Sequence, residues 1–158
     1  MKWVSVNNGF GAEGYELWSE DEKLAGLSFS TRTRIGRLVS NIGKRLFFFE
    51  KKGLLSPKSI IRNEYGISMG KVAEEKPGRG YLEMDGKKYG YTFNENNSGE
   101  LQVYDEETRQ NLVSCSFNTA VNGLAKTKSF LDTKLPSLML VLCWYVFQQH
   151  NEGSPIAV

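Results

Sequence analysis

One histidine, two cysteines and four prolines in 158 residues set the first limits on this chain. His150 is the sole histidine, and neither Cys115 nor Cys143 has a second donor at ligand spacing, so a Cys/His metal cluster cannot be assembled. A catalytic triad on His150 would need a nucleophile and an orienting acid, and no serine stands in a nucleophile-elbow context. No catalytic residue, metal ligand or cofactor is therefore assigned. Both cysteines sit inside apolar patterns and read as small buried hydrophobes. Nothing calls for an oxidising compartment. Strong charge of one sign is also missing. The net charge is +2, which does not argue for nucleic acid by itself.

Long apolar runs are absent too, with one informative near miss. Leu138-Met139-Leu140-Val141-Leu142-Cys143-Trp144-Tyr145-Val146-Phe147 has no polar stripe. Pro136 and Ser137 before it and Gln148 and Gln149 after it predict a helix over Pro136–Gln149, the proline being acceptable in a first turn. A helix apolar on every side must be buried on every side. A bilayer does not suit it, because a crossing takes roughly 20 apolar residues and this helix reaches only about 21 Å. The expectation is a helix sheathed by its own protein, with no transmembrane span. The opening Met1–Asn8 lacks a secretory leader's long apolar region, so a cytoplasmic protein is expected.

What precedes the helix reads as short strands. Lys2–Val6 is the first; Tyr15 and Leu17 belong to the second; Ser19–Lys23 turns the chain; Leu24–Ser30 returns with Leu27 and Phe29 on one face. Thr31–Lys44 fits either a helix or a hairpin. Gly36, Gly43 and the β-branched residues favour a hairpin turning at Asn41–Gly43. Leu46–Phe49 forms a strand closed by Lys51-Lys52-Gly53. Tyr65, Ile67 and Met69 are expected on one face after a turn at Asn63-Glu64. Leu82 and Met84 run into Asp85-Gly86, a pair that favours a tight hairpin turn, and Tyr89, Tyr91 and Phe93 come back. After a turn at Asn96–Gly99 follow Leu101 and Val103, a reversal at Asp105–Thr108, and a last strand with Val113, Cys115 and Phe117. With no helix between strands, the pattern is an antiparallel meander. Closure into a barrel would remove its edges and give the apolar helix its sheath.

Many strands followed by one terminal apolar helix, with the cadence Ile60-Ile61-Arg62-Asn63-Glu64-Tyr65-Gly66-Ile67-Ser68-Met69-Gly70-Lys71-Val72, resembles the tubby C-terminal-like superfamily. That superfamily holds tubby domains, phospholipid scramblases and LURP-one-related proteins. The resemblance spans nearly the whole chain. It implies an all-β single domain, 1–158: a closed antiparallel barrel of about a dozen strands around a central hydrophobic helix. Tubby domains bind phosphoinositides through basic surface residues, but those residues do not align one by one with this chain.

Two motifs invite a functional reading. Gly9-Phe10-Gly11-Ala12-Glu13-Gly14 matches the dinucleotide fingerprint, but the fingerprint needs a helix after it, and Tyr15–Trp18 reads as extended; a turn is expected. The charge map is more telling. Between Lys23 and Phe49 lie six basic residues and no acidic one, leaving 14 basic against 18 acidic elsewhere. A basic stretch attracts an anionic surface, although the same residues also serve as solvated edge charges. Aromatics interleaved with the basic groups on an exposed face would mark nucleic acid, and Phe47–Phe49 read instead as core, so no nucleic acid is expected. Tyr89, Tyr91 and Phe93 alternate as a core face does. His150 suits the negative end of the helix.

These readings converge on a non-enzymatic binding or scaffolding module. Its partner would be anionic lipid headgroups or another protein, met through Arg32, Arg34, Arg37, Lys44 and Arg45. The alternatives are a small-molecule carrier with a hollow barrel and a membrane-associated, scramblase-like protein.

Overall fold

The computed structural model describes residues 1–7, 12–54, 58–94, 99–117 and 137–151. Eleven strands run in order: β1 (Lys2–Asn7), β2 (Glu13–Ser19), β3 (Glu22–Ser30), β4 (Ile35–Ser40), β5 (Gly43–Lys52), β6 (Lys58–Arg62), β7 (Ser68–Lys76), β8 (Arg79–Met84), β9 (Lys87–Asn94), β10 (Glu100–Asp105) and β11 (Asn111–Phe117). A single helix, α1 (Ser137–Asn151), completes the described part. Each strand pairs antiparallel with the next, and β1 lies parallel to β11 through Lys2↔Ser116 and Trp3↔Phe117, which closes the barrel.

Period-2 patterning places the core. Ala25, Leu27 and Phe29 point inward from β3, Leu101 and Val103 from β10, and Val113 and Cys115 from β11, all buried. The β8–β9 turn forms as its Asp-Gly pair predicts: Asp85 and Gly86 both take positive φ, 53° and 74°, matching the twist of a two-residue hairpin. Inside the ring lies α1. Every residue from Leu138 to Gln148 is at most 8 % exposed, so the helix is walled on all sides. Trp144 packs against Tyr15, Phe29 and Phe49 with centroids 5.3, 5.0 and 5.8 Å away, and Phe49 stacks on Tyr145 at 4.7 Å.

Two close approaches need glycine. A Cβ on Gly80 would stand 2.0 Å from the Ala73 carbonyl oxygen and 2.8 Å from the Tyr91 hydroxyl. At Gly90 it would meet the Tyr104 ring, which lies across that position, at 2.4 Å.

The helix and the hairpins stand where the sequence places them, apart from small shifts at element ends. Pro136 and the turn residues Asn96–Ser98 lie outside the described residues, as do Gly9, Phe10 and Gly11. Glu13 and Gly14 already belong to β2, so no helix follows the glycine-rich segment. One expectation fails. Tyr65 and Ile67 do not share a strand face with Met69; they sit in the β6–β7 turn, 80 % and 59 % exposed. The Asn63 side chain accepts from the amides of Tyr65 and Ile67 at 3.0 and 2.9 Å, and Gly66 takes φ +76°. That local capping competes successfully with strand pairing, and the strand begins only at Ser68.

Candidate functional site

The barrel has two rims. One carries the β2–β3, β4–β5, β6–β7, β8–β9 and β10–β11 turns; the other carries the β3–β4 turn, the β5–β6 and β7–β8 connections, and the C-terminal turn of α1. The second rim gathers the polar groups of the helix end.

Its centre is Arg34. The residue ends the β3–β4 turn with a left-handed backbone, φ 55°, and its amide donates to the Ser30 carbonyl at 2.7 Å. The guanidinium then lies half-buried against the barrel mouth. Nε donates to the Phe49 carbonyl at 3.2 Å, and Nη2 donates to the Tyr145 hydroxyl at 3.0 Å. That hydroxyl also meets Ser59 Oγ at 3.0 Å, which accepts from Gln149 Nε2 at 3.1 Å. One turn along the helix from Tyr145, Tyr15 donates to Gln148 Oε1 at 2.9 Å and also contacts the Glu13 carboxylate. Gln148 Nε2 donates to Glu13 at 3.1 Å. His150 stacks on Phe93, centroids 4.3 Å apart, with Glu74 3.8 Å away. These bonds explain why a glutamine is accepted inside the barrel: each of its polar ends has a partner.

A niche of about 30 Å³ opens here beside Thr31, Arg34, Lys51, Tyr145 and Gln149, over Phe29. It is room for one or two water-sized groups. Arg34 spends two of its five N–H donors on protein, so its planar fork keeps capacity for an anion. Among the described residues, Arg32, Arg34, Lys51 and Lys58 have no carboxylate within ion-pair distance. Lys52 is paired with Glu50 at 3.4 Å, and Glu50 is shared with Arg62 at 3.0 Å.

The five basic residues singled out from the sequence are not one patch. Arg32 and Arg34 stand in the β3–β4 turn on the helix-end rim. Arg37 and Lys44 lie on the outer wall as diagonal neighbours, since Arg37 faces Leu46 and Val39 faces Lys44. Arg45 pairs with Leu38 near the opposite rim and is exposed there. Arg37 stands three residues, roughly 10 Å of chain, past Arg34 on the outward side of β4, and Arg45 lies beside Leu38 one residue further down that strand. Arg37 also borders a shallow outer depression of about 180 Å³, floored by Gly26 and flanked by Val6, Val39 and the Glu16–Lys23 ion pair. In place of Arg37, Lys44 and Arg45 the rim adds Lys51, Lys52 and Lys58. A lysine-rich Lys51–Lys58 segment around Leu54 was the available sequence signal for this.

Titration elsewhere is dominated by ordinary pairs. The Lys87 ammonium and the amides of Thr108 and Glu107 hold the Asp105 carboxyl down at about 2. The Cys143 thiol is hydrogen-bonded to Cys115 and fully buried, which pushes it well above the reactive range; both cysteines are unbridged. Burial, with Glu74 and Glu75 nearby, raises the Tyr91 phenol. Among the described residues, no group of three His, Cys, Asp or Glu side chains could hold a metal ion. No described helix is long and apolar enough to cross a membrane.

No family model matches the chain, and no curated protein or solved structure matches it significantly.

Proposed function

We propose that this protein is a non-enzymatic binding module, a rigid barrel that presents a basic rim to an anionic lipid surface. The observation that carries the reading is the group Arg32, Arg34, Lys51 and Lys58, gathered from the β3–β4 turn and the rim ends of β5 and β6 and left without carboxylate partners among the described residues. Clustered unpaired cations near a surface attract anionic headgroups by about 1 kcal/mol each. The other polar groups of the rim, Glu13, Tyr15, Ser59, Tyr145, Gln148 and Gln149, are engaged in holding the helix, which favours a scaffold over a reaction centre.

A carrier reading fares worse. Carriers of apolar ligands keep an interior cavity, whereas this barrel is filled by its own helix from Leu138 to Gln148. Membership of the tubby-like superfamily is part of the same proposal; its support is the arrangement of eleven strands around a C-terminal apolar helix.

The test is co-sedimentation with vesicles of phosphatidylcholine alone or mixed with phosphatidylserine. Retention is expected to rise with the anionic lipid, to fall with salt as screening sets in within about 8 Å at physiological ionic strength, and to drop in an Arg32→Ala, Lys51→Ala, Lys58→Ala variant. Equal retention by neutral and anionic vesicles would refute it.

A further inference from the structure

We propose that Leu54 is a bilayer-inserting anchor, set within the basic rim so that lysines meet the headgroups while the leucine enters the acyl region. The inference rests on the lipid-surface reading above and adds to it a mode of attachment. Leu54 is 102 % exposed, the most exposed of the large hydrophobic residues described. It follows Gly53, whose φ of +91° belongs to the left-handed region that favours glycine, at the point where β5 leaves the barrel wall. Lys51 and Lys52 stand before it and Lys58 after it, with Arg32 exposed in the neighbouring β3–β4 turn. An apolar tip with a cationic collar is the pattern by which peripheral proteins combine apolar burial with attraction to anionic lipid.

A second observation points the same way. Lys52 and Lys58 are directly opposed across the β5–β6 pair. Like charges at opposed positions destabilise a sheet, and Lys52 has one exposed carboxylate, Glu50, which it shares with Arg62. An anionic surface relieves this repulsion.

The remaining strongly exposed apolar residues do not offer the same fit. Ile42, Tyr65 and Ile67 lie on the opposite rim. Lys44 and Arg45 are near Ile42, but its turn stands between the acidic Glu20–Glu22 segment and Glu64. On the Leu54 rim Glu50, on β5, is already engaged, and Glu74 and Glu75 sit on the next strand but one, β7.

Two single-cysteine labels decide the matter, because native Cys115 and Cys143 are each 1 % exposed and escape modification. An environment-sensitive fluorophore on Leu54→Cys is expected to shift to the blue when phosphatidylserine-containing vesicles are added. The same fluorophore on Tyr65→Cys is expected to stay unchanged. Leu54→Ser, a change at a fully exposed position, should leave the melting temperature in place and lower the partition coefficient on those vesicles about tenfold. If the wild type binds the vesicles while the Leu54 label stays aqueous, or Leu54→Ser binds as well as wild type, the anchor is wrong and the charge-based reading survives. If the Tyr65 label shifts instead, the wrong rim has been chosen. Should wild type fail to bind anionic vesicles at all, both readings fall and the rim is left to a protein partner.

Discussion

The two rims of the barrel are held by different means. On the rim with the β6–β7 and β10–β11 turns, fixings are local: Asn63 caps Tyr65 and Ile67 two and four residues away, and Asp105 accepts from Glu107 and Thr108 at 2.9 and 3.1 Å. On the other rim the bonds span the chain: Tyr15 to Gln148, Arg34 to Tyr145 and Ser59 to Tyr145 join residues 133, 111 and 86 positions apart. A locally closed rim forms its turns wherever the strands lead. The long-range bonds exist only once the helix is home, and they tie the Arg34 guanidinium of the basic rim to it through Tyr145.

The strongest way to break that dependence is to remove the helix's main anchor. Trp144→Ala deletes a ring touching Tyr15, Phe29 and Phe49 and is expected to cost about 3–5 kcal/mol, measured by urea unfolding. Weaker binding to anionic vesicles is expected to accompany it, because Arg34 loses its fixing on Tyr145. Gly80→Ala tests the wall instead of the helix. Its Cβ would need the Ala73 carbonyl and Tyr91 to move, for about 1–3 kcal/mol. Tyr145→Phe then sharpens the rim itself: it removes the hydroxyl shared by Arg34 and Ser59 and should cost about 1 kcal/mol, with a larger loss of vesicle binding than Asn63→Ala at the local rim. At the small end, Lys23→Ala breaks a surface ion pair with Glu16 and should change stability by no more than about 1 kcal/mol.

The local rim also carries a pH signature. Asp105 titrates at about 2 in the fold against 3.8 ordinarily, so the stability it lends is present above that ordinary value. It is lost as pH falls from about 4 toward 2, because the unfolded chain takes up the proton first. Urea midpoints measured across this window should fall for wild type and fall less steeply for Asp105→Asn. Equal slopes would separate Asp105 from the acid sensitivity of this rim.

Much of the wall was legible beforehand for a reason visible at single residues. Asp85-Gly86 specifies its turn because both residues tolerate positive φ, and Leu27 with Phe29 specifies a face because strand side chains alternate. Tyr65 and Ile67 misled because their spacing also alternates; the Asn63 cap and Gly66 outweighed it. The candidate site was half legible. Arg32 and Arg34 belong to it, Arg37, Lys44 and Arg45 do not; Lys51 and Lys52 read in sequence only as the close of a strand, and Lys58 does not stand out there.

By itself the sequence determined that a ten-residue apolar helix needs enclosure and that the strands before it can supply an inner face, since burial follows from apolar surface and from the periods 3.6 and 2. Only the tertiary structure decided which cations meet. Strands carry residues half a dozen positions apart to opposite rims, and closure of the barrel brings those more than a hundred positions apart to one helix end, and no local pattern encodes that.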